Sequence, residues 1–206
     1  MSNYTYEAKD INTPLETYEW DNVWYEHTER EDADRVLYIG DSISCGTRKV
    51  ATAVSENTLL FDGFGTSKAL DNPYFKESVR ICGLQQRKRR AIVFNNGLHG
   101  WHLDDSTEYA EYYESFVRFL LDEFKGTPVI LLLTTHVADG QRDERVKARN
   151  EAVKRIAEKH GLGVIDLSSI TAENDVVGGD GVHLTPEGYG MLARKIVEYI
   201  KENTKG

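Results

Sequence analysis

Two short motifs, far apart in the chain, carry side chains able to transfer an acyl group. Gly40-Asp41-Ser42-Ile43 places a hydroxyl where an apolar run stops. Asp180-Gly181-Val182-His183 places a carboxylate and an imidazole three residues apart, just ahead of a helix-forming stretch. Attack on an ester needs a hydroxyl, a base to take its proton and an acid to orient the base. Taken singly, each motif has a plainer explanation, because Asp and Ser are common helix caps and a glycine-rich loop can hold a stray histidine. Taken together they predict Ser42 as nucleophile, His183 as base and Asp180 as its orienting acid.

Ser42 is expected to open a helix, where unpaired N–H groups and partial positive charge favour an oxyanion. Gly65, in Gly63-Phe64-Gly65-Thr66-Ser67, could offer a backbone N–H at close range. His99 and His102 are offset by three and His136 follows an apolar run, but no Cys or Glu completes a ligand set, so no metal is expected. No other cofactor is required. His27 and His160 read as surface residues.

These residues need elements to position them. Val36–Ile39, Thr58–Phe61, Ala91–Phe94, Val129–Leu133 and Leu162–Asp166 read as five buried strands, with Val129–Leu133 the most apolar and therefore central. Asp62-Gly63-Phe64-Gly65 is expected to close the second. Helices are expected over Ile43–Val54, Tyr74–Gln86, Thr107–Phe124, Arg142–Lys159 and Pro186–Glu202. Gly126 and Gly161 act as stops, and Thr185-Pro186 as a start. Five alternations predict a parallel sheet with helices on both faces, whose ligands bind beyond the carboxyl ends of the strands. Ser42, Gly65, His99, Asp180 and His183 all fall on that rim. Residues 35–206 form one domain. Residues 1–34, acidic and aromatic without a clear period (Tyr4, Tyr6, Tyr18, Trp20, Trp24, Tyr25), form a strap packed on it.

Bulk properties narrow the partners. The chain has 206 residues, 40% hydrophobic and 29% charged, an ordinary globular balance. A net charge of -9 argues against nucleic acid and against anionic membrane surfaces. The run Arg87-Lys88-Arg89-Arg90 reads as a solvated helix end. Cys45 and Cys82 are expected to be free thiols. The absence of a basic-then-apolar opening and of a long apolar stretch predicts a cytoplasmic protein.

The two motifs and their order resemble the SGNH (GDSL-type) hydrolases, named for Ser, Gly, Asn and His in four blocks. Gly40-Asp41-Ser42-Ile43 is similar to the first, Gly65 to the second and Asp180-Gly181-Val182-His183-Leu184 to the last. Trp20-Asp21-Asn22-Val23-Trp24 resembles a stretch in bacterial members linked to carbohydrate. The resemblance implies a flavodoxin-like three-layer α/β/α sandwich with a five-stranded parallel sheet, and an esterase. Its substrate would be a small acyl ester, an acetyl group on a sugar or oligosaccharide. The third block departs from the pattern, because Gly97-Leu98-His99-Gly100 puts His99 where the family has an oxyanion-binding Asn. Either His99 or Asn96 would then complete the oxyanion hole, a donor worth about 3–4 kcal/mol of barrier. Asp41, Asn95 and His136, at strand ends, would line the pocket. Rival readings are a lysophospholipase or thioesterase, and a carbohydrate-binding protein that has kept the scaffold without the reaction.

Overall fold

The computed structural model describes residues 15–86, 89–103 and 106–205. The expectations for Tyr4, Tyr6, Arg87 and Lys88 lie outside these residues. In chain order the elements are β1 (Asp21–Trp24), β2 (Asp34–Gly40), α1 (Ser42–Val54), β3 (Leu59–Thr66), α2 (Phe75–Gln85) and β4 (Ala91–Phe94). Then follow α3 (Ser106–Glu123), β5 (Val129–Leu132), α4 (Gly140–His160), β6 (Gly163–Ile165), α5 (Leu167–Glu173) and α6 (Pro186–Asn203).

Period-two alternation along the strands builds the three layers. On β2, Leu37 and Ile39 face one cluster with α2, α3 and α4. Val36 and Tyr38 face the other, with α1, α5 and α6. Strands buried on both faces read as continuous apolar runs, which is why β2, β4 and β5 were legible. Local signals set the helix ends. The Thr185 hydroxyl accepts the Gly188 N–H at 3.2 Å, Asp139 accepts the Arg142 N–H at 2.8 Å, and Gly161 ends α4 in the left-handed region.

The five-stranded, fully parallel sheet is corrected. The sheet is mixed and has six strands in the order β1-β3-β2-β4-β5-β6. β2 to β6 pair in parallel, whereas β1 runs antiparallel to β3, with Asp21 opposite Thr66 and Trp24 opposite Gly63. β1 escaped notice because its four side chains are all exposed, so it carries no burial pattern. β3 does not close at Asp62-Gly63-Phe64-Gly65 but runs on to Thr66. Ladder pairing on both sides overrides the turn preference of its glycines. β5 is not central, since β2 and β4 occupy the middle. α5 was also unforeseen, although Asp166 caps it by accepting the Ser169 N–H at 2.9 Å.

The strand order reverses between β2 and β4. Chain leaving β2 turns to β3 on one side, and the later strands add on the other. A crevice opens at such a switch point, beyond the carboxyl ends of the strands. Ser42 follows β2, and the loop carrying Asn95 to His99 follows β4.

Candidate active site

Ser42 is the first residue of α1, and Asp41 is its cap, accepting the Ile43 N–H at 2.9 Å. The Ser42 N–H therefore belongs to the first turn, whose donors have no partner within the helix. α1 continues against α6 at Gly46, where an added Cβ would lie 2.4 Å from the Tyr189 ring. That close approach draws the start of α6, and the loop before it, towards Ser42. The loop is tied by backbone hydrogen bonds of its own and by one from outside it. Thr185 N–H donates to Val176 O at 2.8 Å, Gly178 N–H to His183 O at 2.6 Å and Ala138 N–H to Gly181 O at 2.8 Å.

On this loop the His183 Nδ1–H donates to Asp180 Oδ2 at 2.6 Å. Asp180 Oδ1 accepts the N–H groups of Val182 at 3.0 Å and His183 at 2.9 Å. The His183 hydrogen bond and those two backbone donors hold the Asp180 carboxyl down at about 2, although it is exposed. With Nδ1 carrying the proton, Nε2 is left as acceptor, and the Ser42 Oγ–H donates to it at 2.8 Å. Hydroxyl, imidazole and carboxylate thus form one line. This geometry can take the proton from Ser42 and keep the resulting imidazolium stable.

The three residues border a cleft of 380 Å³ whose other walls include Glu16, Leu98, His99, Trp101, Val137 and Arg142. His99 lies in this cleft. Asn96 does not border it: the residue is 1% exposed and its Nδ2–H donates to Lys68 O at 2.9 Å. Gly65 is buried in β3 between Asn22 and Gly40. A Cβ there would meet Cys45 Sγ at 2.3 Å, so glycine lets α1 sit directly over the strand. Burial pushes the Cys45 thiol up, and both cysteines are free.

Asp41 and Asn95 lie behind the nucleophile and do not border the cleft. They line a void of 10 Å³, room for one water, together with Thr135, and both Asp41 Oδ2 and Thr135 Oγ1 are buried without a hydrogen-bond partner. Burial pushes the Asp41 carboxyl up, and the charge of nearby His99 draws it back. Asn95 Nδ2 ties strand ends together, donating to Leu132 O at 2.9 Å and to Thr134 Oγ1 at 3.0 Å. His136 borders a neighbouring cleft of 420 Å³ and its Nδ1 pairs with Asp143 at 2.7 Å. His102 pairs with Asp71 at 2.8 Å. The histidines considered as metal ligands thus go to separate carboxylates. Among the described residues no group of three or more His, Cys, Asp or Glu could hold a metal ion.

Sequence reasoning missed four residues. Glu16, Trp101 and Arg142 border the cleft, and Arg149 holds the loop that carries His99. The buried Arg149 guanidinium donates to the carbonyls of Gly97, His99, Gly100 and Leu103 at 2.8–3.1 Å. It also lies over the rings of Trp101 and Tyr109 at 4.7 and 4.5 Å. Its only sequence signal is position: an arginine on the inward face of a charged helix, next to Asn150 and one turn after Val146.

Residues 38–191 match the GDSL-like Lipase/Acylhydrolase family. No curated protein sequence matches the chain. Among solved structures, a member of the lipolytic G-D-S-L family from Veillonella parvula is 22% identical, covering 81% of this chain and 97% of that one, with a TM-score of 0.67. A carbohydrate acetylesterase from Sinorhizobium meliloti is 14% identical, covers 82% and 99%, and has the same TM-score of 0.67. An acetyl xylan esterase is 18% identical, covers 80% and 98%, and has a TM-score of 0.61. No helix among the described residues is long and apolar enough to cross a membrane.

Proposed function

This chain belongs to the GDSL-like lipase/acylhydrolase family and is a serine-type carboxylic ester hydrolase, and on that footing we propose that it acts on small acyl esters and removes acetyl groups from a carbohydrate, with Ser42, His183 and Asp180 as catalytic residues. The observation that carries the residue assignment is the unbroken line from Asp180 Oδ2 through the His183 ring to Ser42 Oγ, with contacts of 2.6 and 2.8 Å. His183 Nε2 takes the hydroxyl proton as Oγ bonds to the ester carbonyl carbon, and the carbonyl oxygen becomes an oxyanion. Collapse expels the alcohol, which receives the proton from His183, and leaves acyl-Ser42. Water then attacks with His183 again as base, releasing the acid and restoring the hydroxyl. The oxyanion is held by the backbone N–H groups of Ser42 and Gly65 and by the His99 side chain. His99 is preferred to Asn96 because it alone of the two borders the cleft.

The acetyl-carbohydrate reading is supported by the cleft's size and lining. A volume of 380 Å³ suits a small acyl group and part of a sugar, and Trp101, Glu16 and Arg142 supply an apolar face and polar partners for hydroxyls. The carbohydrate acetylesterase and acetyl xylan esterase among the similar folds point the same way. The test is acetate release from a panel of acetylated oligosaccharides, alongside p-nitrophenyl esters from acetyl to decanoyl. Acetyl is expected to be preferred, and fluorophosphonate labelling is expected to vanish in Ser42→Ala. Preference for the long chains would replace this reading with a lysophospholipase or thioesterase. Binding of the glycans without acetate release or labelling would make the protein a carbohydrate-binding relic of the fold.

A further inference from the structure

The acyl-transfer steps above make no use of one carboxylate in the cleft. Glu16 precedes β1 and enters from outside the parallel sheet. Its Oε1 accepts the Gly100 N–H at 3.1 Å and stands 3.4 Å from His99 Nδ1, a spacing that suits an ion pair better than a tight hydrogen bond. The segments that carry both partners are anchored. Trp20 N–H donates to Ser67 Oγ at 2.9 Å, Ser67 N–H returns to Trp20 O at 3.2 Å, and the Trp20 ring stands edge-on to His99 with centroids 6.3 Å apart. Arg149 holds the His99 carbonyl at 2.8 Å. Among the described residues, Glu16 Oε2 makes no hydrogen bond.

An imidazole has two nitrogens, and a carboxylate beside Nδ1 commits that atom to carrying a proton. Nε2 is then the atom left to face a substrate, and it donates only when the ring carries both protons. The charged groups around His99 are Glu16, the buried Asp41 at the start of α1, Arg142 and Arg149 on α4, and the Asp180–His183 pair. Of these, Glu16 is the one that contacts the ring nitrogen.

We propose that Glu16 is a positioning residue that holds His99 as an imidazolium, with Nδ1–H towards its carboxylate and Nε2–H donated to the oxyanion formed at Ser42. An ion pair delivered by the segment before β1 thereby replaces the neutral amide of the family's third block. The inference rests on the Ser42 acyl-transfer reading.

A double-mutant cycle on p-nitrophenyl acetate tests it, using Glu16→Gln, His99→Asn and the two combined. Glu16→Gln is expected to lower kcat on the order of tenfold with KM little changed, less than the 10²–10³-fold typical of losing an oxyanion donor outright. In the His99→Asn background the amide donor needs no counter-charge, so Glu16→Gln should have no further effect. Equal losses in both backgrounds, or a change confined to KM, overturn the proposal. A readout independent of activity is ¹⁵N NMR of histidine-labelled protein at neutral pH. Both His99 nitrogens should be protonated in the wild type, and one proton should be lost in Glu16→Gln. An unchanged His99 signal overturns the proposal, and this arm decides if His99→Asn fails to fold. Esterase activity surviving Ser42→Ala would instead sink the acyl-transfer reading, which the NMR result does not touch.

Discussion

Two loops bring a histidine to the same cleft, and they are held by opposite means. The loop of residues 176–185 is tied mostly by short-range hydrogen bonds: Gly178 to His183, Thr185 to Val176, and Asp180 to two N–H groups two and three residues on, with Ala138 N–H to Gly181 O the one long-range backbone tie. Its side chains stay exposed, at 48% for His183 and 56% for Asp180. The loop of residues 95–103 is held from a distance. Arg149, about fifty residues on, binds four of its carbonyls, and Glu16, more than eighty residues back, binds the Gly100 N–H. A locally closed loop can keep a reactive pair in open solvent because each hydrogen bond belongs to a short ring. A loop with little of this, here Leu103 N–H to Gly100 O at 3.0 Å, needs a buried cation and a crossing segment to keep its shape.

This contrast can be broken from either side. Asp180→Asn removes the acid that sets the His183 tautomer, and kcat/KM is expected to fall on the order of 10⁴-fold. Because Asp180 is exposed and the loop is self-tied, the melting temperature should hardly move. Scanning calorimetry beside acetate release checks both halves. Arg149→Leu strikes the other loop. Four carbonyls lose a buried donor, and a loss of about 3–5 kcal/mol in urea-unfolding stability is expected, because buried acceptors left unsatisfied each cost about 1–3 kcal/mol and part of that loss is recovered by relaxation. A loss below 1 kcal/mol would mean that the loop is held by something else.

Gly46→Val tests the contact that joins α1 to α6. Overpacking against Tyr189 should cost about 1–3 kcal/mol. It should also lower kcat more than that stability loss explains, since it separates Ser42 from His183. Unaltered kcat in the folded protein would show that the loop finds Ser42 without the helix contact. The smallest expected effect concerns pH. The Asp180 carboxyl is depressed to about 2, so its stabilising pairing is complete above its ordinary carboxylate value and is lost as pH falls from there through about 2. The acid limb of kcat/KM above about pH 3 should therefore have the slope of one proton, and a two-proton limb there would contradict the depressed carboxyl.

What the residues told in advance follows the same division. Gly40-Asp41-Ser42 and Asp180-Gly181-Val182-His183 were legible because strand end, cap and Asp–His spacing are local facts. The buried strands were legible because burial on both faces leaves a continuous apolar run. β1 was not, because four exposed side chains record nothing of a backbone ladder. The run of β3 through its glycines was hidden for a related reason, as pairing with β1 and β2 decides it. His99 could be singled out as a departure from pattern, but that it borders the cleft while Asn96 is buried could not be read from the sequence.

The amino-acid order by itself determined which chemistry was available, because a nucleophile, a base and an acid are properties of residue types and short spacings. Only the tertiary structure decided which groups face the same cleft. Glu16, Trp101 and Arg142 border the cleft and Arg149 holds its loop from positions tens of residues away from Ser42, and such placement depends on how helices and strands pack. No window along the chain contains that information.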